Sequence, residues 1–174
     1  MPPIEFSSVL PLEYRCQLEQ LLYFNRLQSR AAPAIAELVE KYGQPWIHQS
    51  GGRLQVGVGN VAGVQALFAF AAADDTRRLA GVAIYTREGA DLVLIHIAVA
   101  RAFSFGGARR PAPVAMRLVH EVREVARRLN GVAGVVLYYP AGMPQRLPIR
   151  RWSSMPAPSA PATPPPEVLL AVNP

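Results

Sequence analysis

The spacing of apolar residues changes period several times along the chain, and each change marks an element. Residues 4–11, IEFSSVLP, alternate apolar and polar and predict a short strand. Residues 12–27 switch to helical spacing, with Leu12, Leu18, Leu21, Leu22 and Leu27 near one face. A second helix is predicted from Pro33 through Ile35, Leu38 and Val39 to Tyr42. Proline suits a first helical turn there, and Gly43 suits a helix end. From residue 53 the chain reads as strands. RLQVGVG (53–59) and VQALFAFAA (64–72) predict two of them, with a hairpin turn through Gly59 and Asn60. RLAGVAIYT (78–86) and DLVLIHIAVA (91–100) follow, joined by a tight turn in which Gly89 adopts positive φ cheaply. Residues 114–129 carry the strongest helical stripe: Ala115, Leu118, Val119, Val122, Ala126 and Leu129 recur at spacings of three and four. Asn130 and Gly131 end that helix, and VAGVVLYYP (132–140) predicts a buried strand.

Strand, two helices, antiparallel strands, one long helix and a strand make an α+β fold, with helices packed on a mostly antiparallel sheet. The pattern ends near residue 140. Ten of the 17 prolines fall in residues 140–174, and PAPSAPATPPP supports neither helix nor sheet. The expected organisation is a folded unit over residues 1–140 and a proline-rich extension over 141–174. At 174 residues and 51% hydrophobic, the chain suits one domain with a real core.

Charge adds one localised feature. The formal net charge is +6, and Lys41 is the one lysine among 18 basic residues. Residues 101–128 hold seven arginines against Glu121 and Glu124. Such a surface attracts phosphates, nucleic acid or acidic proteins, and it is equally the pattern of a solvated helix face. The longest apolar stretch, around residues 61–73, is shorter than the roughly 18–20 residues of a membrane span. Residues 1–10 show no basic segment leading into an apolar run, so the cytoplasm is the expected compartment and no membrane partner is expected. Cys16 stands alone, which leaves no internal disulfide and no thiolate metal site.

Candidate chemistry is sparse. His48, His96 and His120 show no metal-ligand spacing. His96, on an alternating strand and facing away from Ile95 and Ile97, is the candidate base, with a buried hydrogen-bonded histidine as the plainer reading. GVGNVA (57–62) matches a dinucleotide-binding pattern, but a strand follows it where that motif needs a helix. No nucleophile elbow or phosphate-binding loop of the NTPase kind is present. RAFSFGGARR (101–110) mixes arginine with phenylalanine, a combination that stacks on single-stranded nucleic acid or caps a cofactor groove.

The element order, with LAGVAIYTREGADLVLIHIAVA through VVLYY (79–139), resembles the GNAT superfamily of N-acetyltransferases. The family pattern is a strand ending in an apolar run, a loop Q/R-x-x-G-x-G/A, a long helix and a further strand. Aligned back from Ala126, Arg127 and Gly131, the loop falls on residues 110–115 and reads R-x-x-P-x-A. The resemblance implies acetyl-CoA as cofactor. Its pantetheine arm would lie along Ile97, Ala98 and Val99, and its pyrophosphate would sit on the N–H groups of Val114 and Ala115, with charge from Arg109 and Arg110. Three features depart from the family. Pro113 replaces a glycine, Pro111 stiffens the same loop, and the interval from Val99 to Arg110 is long. Val93 falls near the place of the family's glutamate base. Tyr138 and Tyr139 are read as lying inside the fifth strand, short of the family's tyrosine acid.

Two function classes stay open. One is an acyl-CoA-dependent N-acyltransferase acting on an amine. The other is a GNAT-like domain without catalysis, a structural or binding component of a larger assembly such as a virus particle. Its arginine-rich face and proline-rich tail would make the contacts with protein partners.

Overall fold

The structure is a computed structural model and describes residues 3–24, 32–73, 76–103, 114–138 and 144–149. Strand β1 (Ile4–Ser7) opens it, and residues 10–11 form a second strand, β2 (Leu10–Pro11). The single strand expected over residues 4–11 is thus divided. The Ser7 hydroxyl accepts the Val9 N–H and donates to the Val9 carbonyl, both at 3.0 Å, and this local turn redirects the chain. Consequently β1 and β2 enter different sheets.

A short 3-10 turn over Leu12–Tyr14 leads into α1 (Arg15–Leu22). Tyr14, Leu18, Leu21 and Leu22 are buried, as the leucine spacing requires. Helix α2 (Ala32–Tyr42) follows, burying Leu38 and Tyr42. It ends where expected: Gly43 has φ +93°, and its N–H donates to the Val39 carbonyl at 2.8 Å. A Cβ on Gly43 would lie 2.7 Å from the Cα of Gly59, so both glycines are needed where the helix end meets that turn.

Strands β3 (Pro45–Ser50) and β4 (Arg53–Val58) form a hairpin through Gly51 and Gly52, both at positive φ. The signal for β3 lay in that Gly-Gly turn, a two-residue loop that twists with its strands. Next come β5 (Gln65–Ala73), β6 (Thr76–Glu88) and β7 (Asp91–Val99), in antiparallel succession. The tight turn at Gly89 is present, with φ +57°. The hairpin expected at Gly59 and Asn60 is not one. A turn does close there, with the Val61 N–H on the Val58 carbonyl at 3.0 Å. However, β4 pairs with β2 and β3, whereas β5 pairs with β1 and β6, so the turn carries the chain between sheets. No helix follows GVGNVA, as the dinucleotide motif would need.

Helix α3 (Val114–Arg128) then crosses over to β8 (Gly134–Leu137), which runs parallel to β7, and β9 (Gln145–Pro148) pairs antiparallel with β8. The last strand lies in the segment read as extension, so the sheet reaches past residue 140. The result is the α+β class, a mostly antiparallel six-stranded sheet in the order β1-β5-β6-β7-β8-β9, with a small sheet β2-β4-β3 beside it.

Both faces of the large sheet are covered, which explains why β6 and β7 are buried over most of their length. On one face, Val114, Leu118, Val122 and Ala126 of α3 pack on Ala69, Ala71, Ala83, Leu92, Leu94 and Val135. The alanines let the helix approach closely. The stripe is turned slightly from the expected one: Val114 joins it, Ala115 and Val119 are half-buried, and Leu129 is exposed beyond the helix end. On the other face, α1, α2 and the small sheet cover Phe68, Phe70, Val82, Ile84, Val93 and Ile95.

Candidate functional site

The β7–β8 edge is where the large sheet changes character. Parallel pairing with β8 runs only from Asp91↔Gly134 to Leu94↔Leu137. Pairing with β6 on the other side continues to Gly81↔Val99. Among the described residues no strand runs beside residues 95–99 on the β8 side. The Ala100 N–H donates to the Ala80 carbonyl at 2.8 Å, so the main-chain groups of Ala98 and Ala100 face β6. Alternation turns the N–H and carbonyl of Ile97 the other way, toward the side where β8 has stopped. That edge can take an extended ligand by main-chain hydrogen bonds, as an added strand would be taken.

The beginning of α3 stands against this edge. A Cβ on Gly81 would come to 3.2 Å from Cγ1 of Val114, 3.1 Å from Cδ1 of Leu118 and 2.9 Å from the Ala98 carbonyl. The missing side chain therefore lets the helix N-terminus settle beside the end of β7. Val114 is fully buried there and Ala115 half-buried. Its first turn carries no acidic side chain, so its unpaired N–H groups and the positive end of the helix dipole meet no neighbouring carboxylate from that turn. Ile97, Ala98, Val99, Val114 and Ala115 are thus brought together. Arg109, Arg110, Pro111 and Pro113 lie outside the described residues.

His96 is placed differently from the simple alternation. The β6–β7 register steps from Ile84↔His96 to Tyr85↔Leu94, so Ile95 is an extra residue on β7. Such a bulge turns two successive side chains to one face. His96 shares the face of Ile84 and Ile95 rather than opposing Ile95, and only 5% of it is exposed. Burial lowers its pKa to about 4. The imidazole is neutral at physiological pH and a weak proton acceptor. Val93 is a buried core residue on the same face.

Sequence reasoning missed a polar cluster past the end of β8, formed by Lys41, Tyr42, Glu88 and Tyr138. Strand β8 ends at Leu137, so Tyr138 follows the strand instead of lying inside it; Tyr139 lies outside the described residues. The Tyr138 hydroxyl accepts a hydrogen bond from Lys41 Nζ at 3.2 Å. The same ammonium sits 4.6 Å from the centre of the Tyr42 ring, 5.6 Å from that of Tyr138, and 3.9 Å from a carboxylate oxygen of Glu88. The neighbouring Tyr42 and Tyr138 hydroxyls raise the Lys41 pKa, and burial raises that of Tyr42. Residues 41 and 138 are 97 apart in sequence, so no local motif joins them.

The remaining candidates are quieter. His120 is exposed and 3.7 Å from Glu124 on the next helical turn. His48 lies against Trp46 and shares a 2.9 Å hydrogen bond with Gln55. Along α3, Glu121 and Glu124 fall between Arg117 and Arg128 on one stripe, and Glu124 pairs with Arg127. That arrangement is a mixed-charge solvated face. Among the described residues no three metal-ligating side chains cluster, and no helix is long and apolar enough to cross a membrane. No family model matches the chain, and no curated protein or solved structure matches it.

Proposed function

We propose that this chain is a GNAT-like acyl-CoA-dependent N-acyltransferase. The observation that carries the reading is the end of the β7–β8 ladder at Leu94 and Leu137, which leaves a β7 edge leading to Ala98, where the N-terminus of α3 packs at Gly81. A strand edge and a helix N-terminus, set side by side, suit the two chemically different parts of one ligand. The Ile97 main chain would hold an extended amide-bearing arm. The N–H groups of Val114 and Ala115, with Arg109 and Arg110, would hold a pyrophosphate. Acetyl-CoA, when bound, supplies a thioester whose carbonyl an amine can attack.

The same site favours a second reading, a ligand-binding or assembly component without catalysis. Its support is the absence of a strong base at the expected places: Val93 is apolar, and His96 is held neutral by burial. Calorimetric titration with acetyl-CoA separates these from no cofactor function at all. Saturable binding near micromolar, weakened by Arg110→Ala, supports the groove; no heat of binding up to about 1 mM overturns it. Turnover with a panel of amines then divides the enzyme from the binding component.

A further inference from the structure

We infer that Tyr42, Tyr138 and Glu88 form a recognition site for an alkylammonium ligand, and that Lys41 is its built-in competitor. The proposal goes beyond the acyl-CoA reading and rests on the cage alone. Two aromatic rings and a carboxylate converge on one point, and the group found at that point is an ammonium. Ring faces attract cations through their quadrupole, and a nearby carboxylate adds charge complementarity. Such a set recognises amines in preference to neutral groups of the same shape.

The cage is built into the fold. Tyr42 is 93% buried at the end of α2, and its ring cannot move away without opening the core. Its hydroxyl is enclosed and makes no hydrogen bond of good geometry, although Lys41, Glu88 and Tyr138 all approach it. A donor left over inside a polar cluster is costly unless something there accepts from it. Tyr138 directly follows β8, and Glu88 is the last residue of β6.

The present occupant is the replaceable part. The Lys41 side chain is about half exposed, at 49%, and comes from the last turn of α2. At 3.9 Å its contact with Glu88 is longer than a charge-assisted hydrogen bond. The ammonium is therefore held by the rings and the Tyr138 hydroxyl, with carboxylate capacity to spare. A lysine stem that swings into solvent keeps its own hydration and leaves the cage to another amine.

Because Lys41 is the one lysine, the native chain can be tested directly. Reductive methylation with carbon-13 formaldehyde gives one side-chain dimethylammonium signal, distinct from that of the chain's amino terminus. Adding n-butylammonium at constant ionic strength is expected to move that signal saturably to the position of a solvent-exposed dimethyl-lysine. In Lys41→Met, n-butylammonium should shift the Tyr42 and Tyr138 ring resonances with an affinity about tenfold tighter than in the native chain. Adding Glu88→Gln to that variant should weaken binding again. A lysine-containing peptide binding more tightly than n-butylammonium would identify a protein side chain as the source, and the reverse order a free amine. The inference fails if n-butylammonium up to about 100 mM leaves the dimethyl-lysine signal in place. It fails equally if n-butanol, which carries no charge, produces the same shifts.

Discussion

The two faces of the six-stranded sheet are equally well buried but differ in what they bury. Against α3 the sheet presents alanines, leucines and valines, and the helix answers with Val114, Leu118, Val122 and Ala126. Against α1, α2 and the small sheet it carries apolar residues too, but His96 and Thr86 are buried there, and Lys41, Tyr42, Glu88 and Tyr138 gather at its rim. One face is scaffold. The other is where polar groups are held in defined places, and the bulge at Ile95 turns His96 toward it. A buried polar group costs stability unless it is partnered; His96 and Thr86 are carried on this face, whereas the α3 face buries Tyr85 among its apolar residues.

The strongest way to test that division is to damage the scaffold face. Leu118→Ala should lower unfolding stability by about 2–5 kcal/mol in urea denaturation, because it opens a cavity between α3 and the alanines. His96 provides the next largest effect, and it depends on pH. Its folded pKa of about 4 lies below the unfolded value of about 6.5, so the unfolded chain takes up the proton first. Stability from this group is complete above about pH 6.5 and is lost as pH falls toward about 4. Near pH 4.5 the loss should approach about 2–3 kcal/mol, and His96→Gln should remove that part of the pH slope. If the slope survives the substitution, the polar character of this face lies elsewhere.

Gly81→Val should cost about 1–3 kcal/mol, since a Cβ there already meets the Ala98 carbonyl at 2.9 Å and the α3 N-terminus just beyond. Calorimetry on this variant should also show weaker acetyl-CoA binding, which a purely scaffolding role for the helix start does not require. The smallest effect belongs to the rim. A double-mutant cycle between Lys41→Met and Tyr138→Phe should give a coupling below about 1 kcal/mol, because the pair is half exposed. A larger value would mean that the cluster holds α2 to the sheet rather than keeping a site.

Periodicity made α1, α2, β4 to β7, α3 and β8 legible, because each buries a face that repeats at its own pitch. It was less informative where one element served two sheets. Residues 4–11 read as one strand, but the Ser7 turn divides them, and Gly59 reads as a hairpin but moves the chain between layers. Of the candidate site, Ile97, Ala98, Val99, Val114 and Ala115 came from the family resemblance, and the structure sets the end of β7 and the start of α3 near one another at Gly81. The cage was invisible, since its members are ordinary surface residues until α2, β6 and β8 meet.

The sequence by itself determined the class of fold, the helix that starts at Val114 and the glycine turns at Gly43 and Gly89. These depend on local sterics and on burying one apolar face per element, and both are written in neighbouring residues. Only the tertiary structure decided which strands pair, where the β7–β8 ladder ends, which way His96 points and what surrounds Lys41. Those follow from register, a single-residue bulge and contacts between residues as far as 97 positions apart, which no local period encodes.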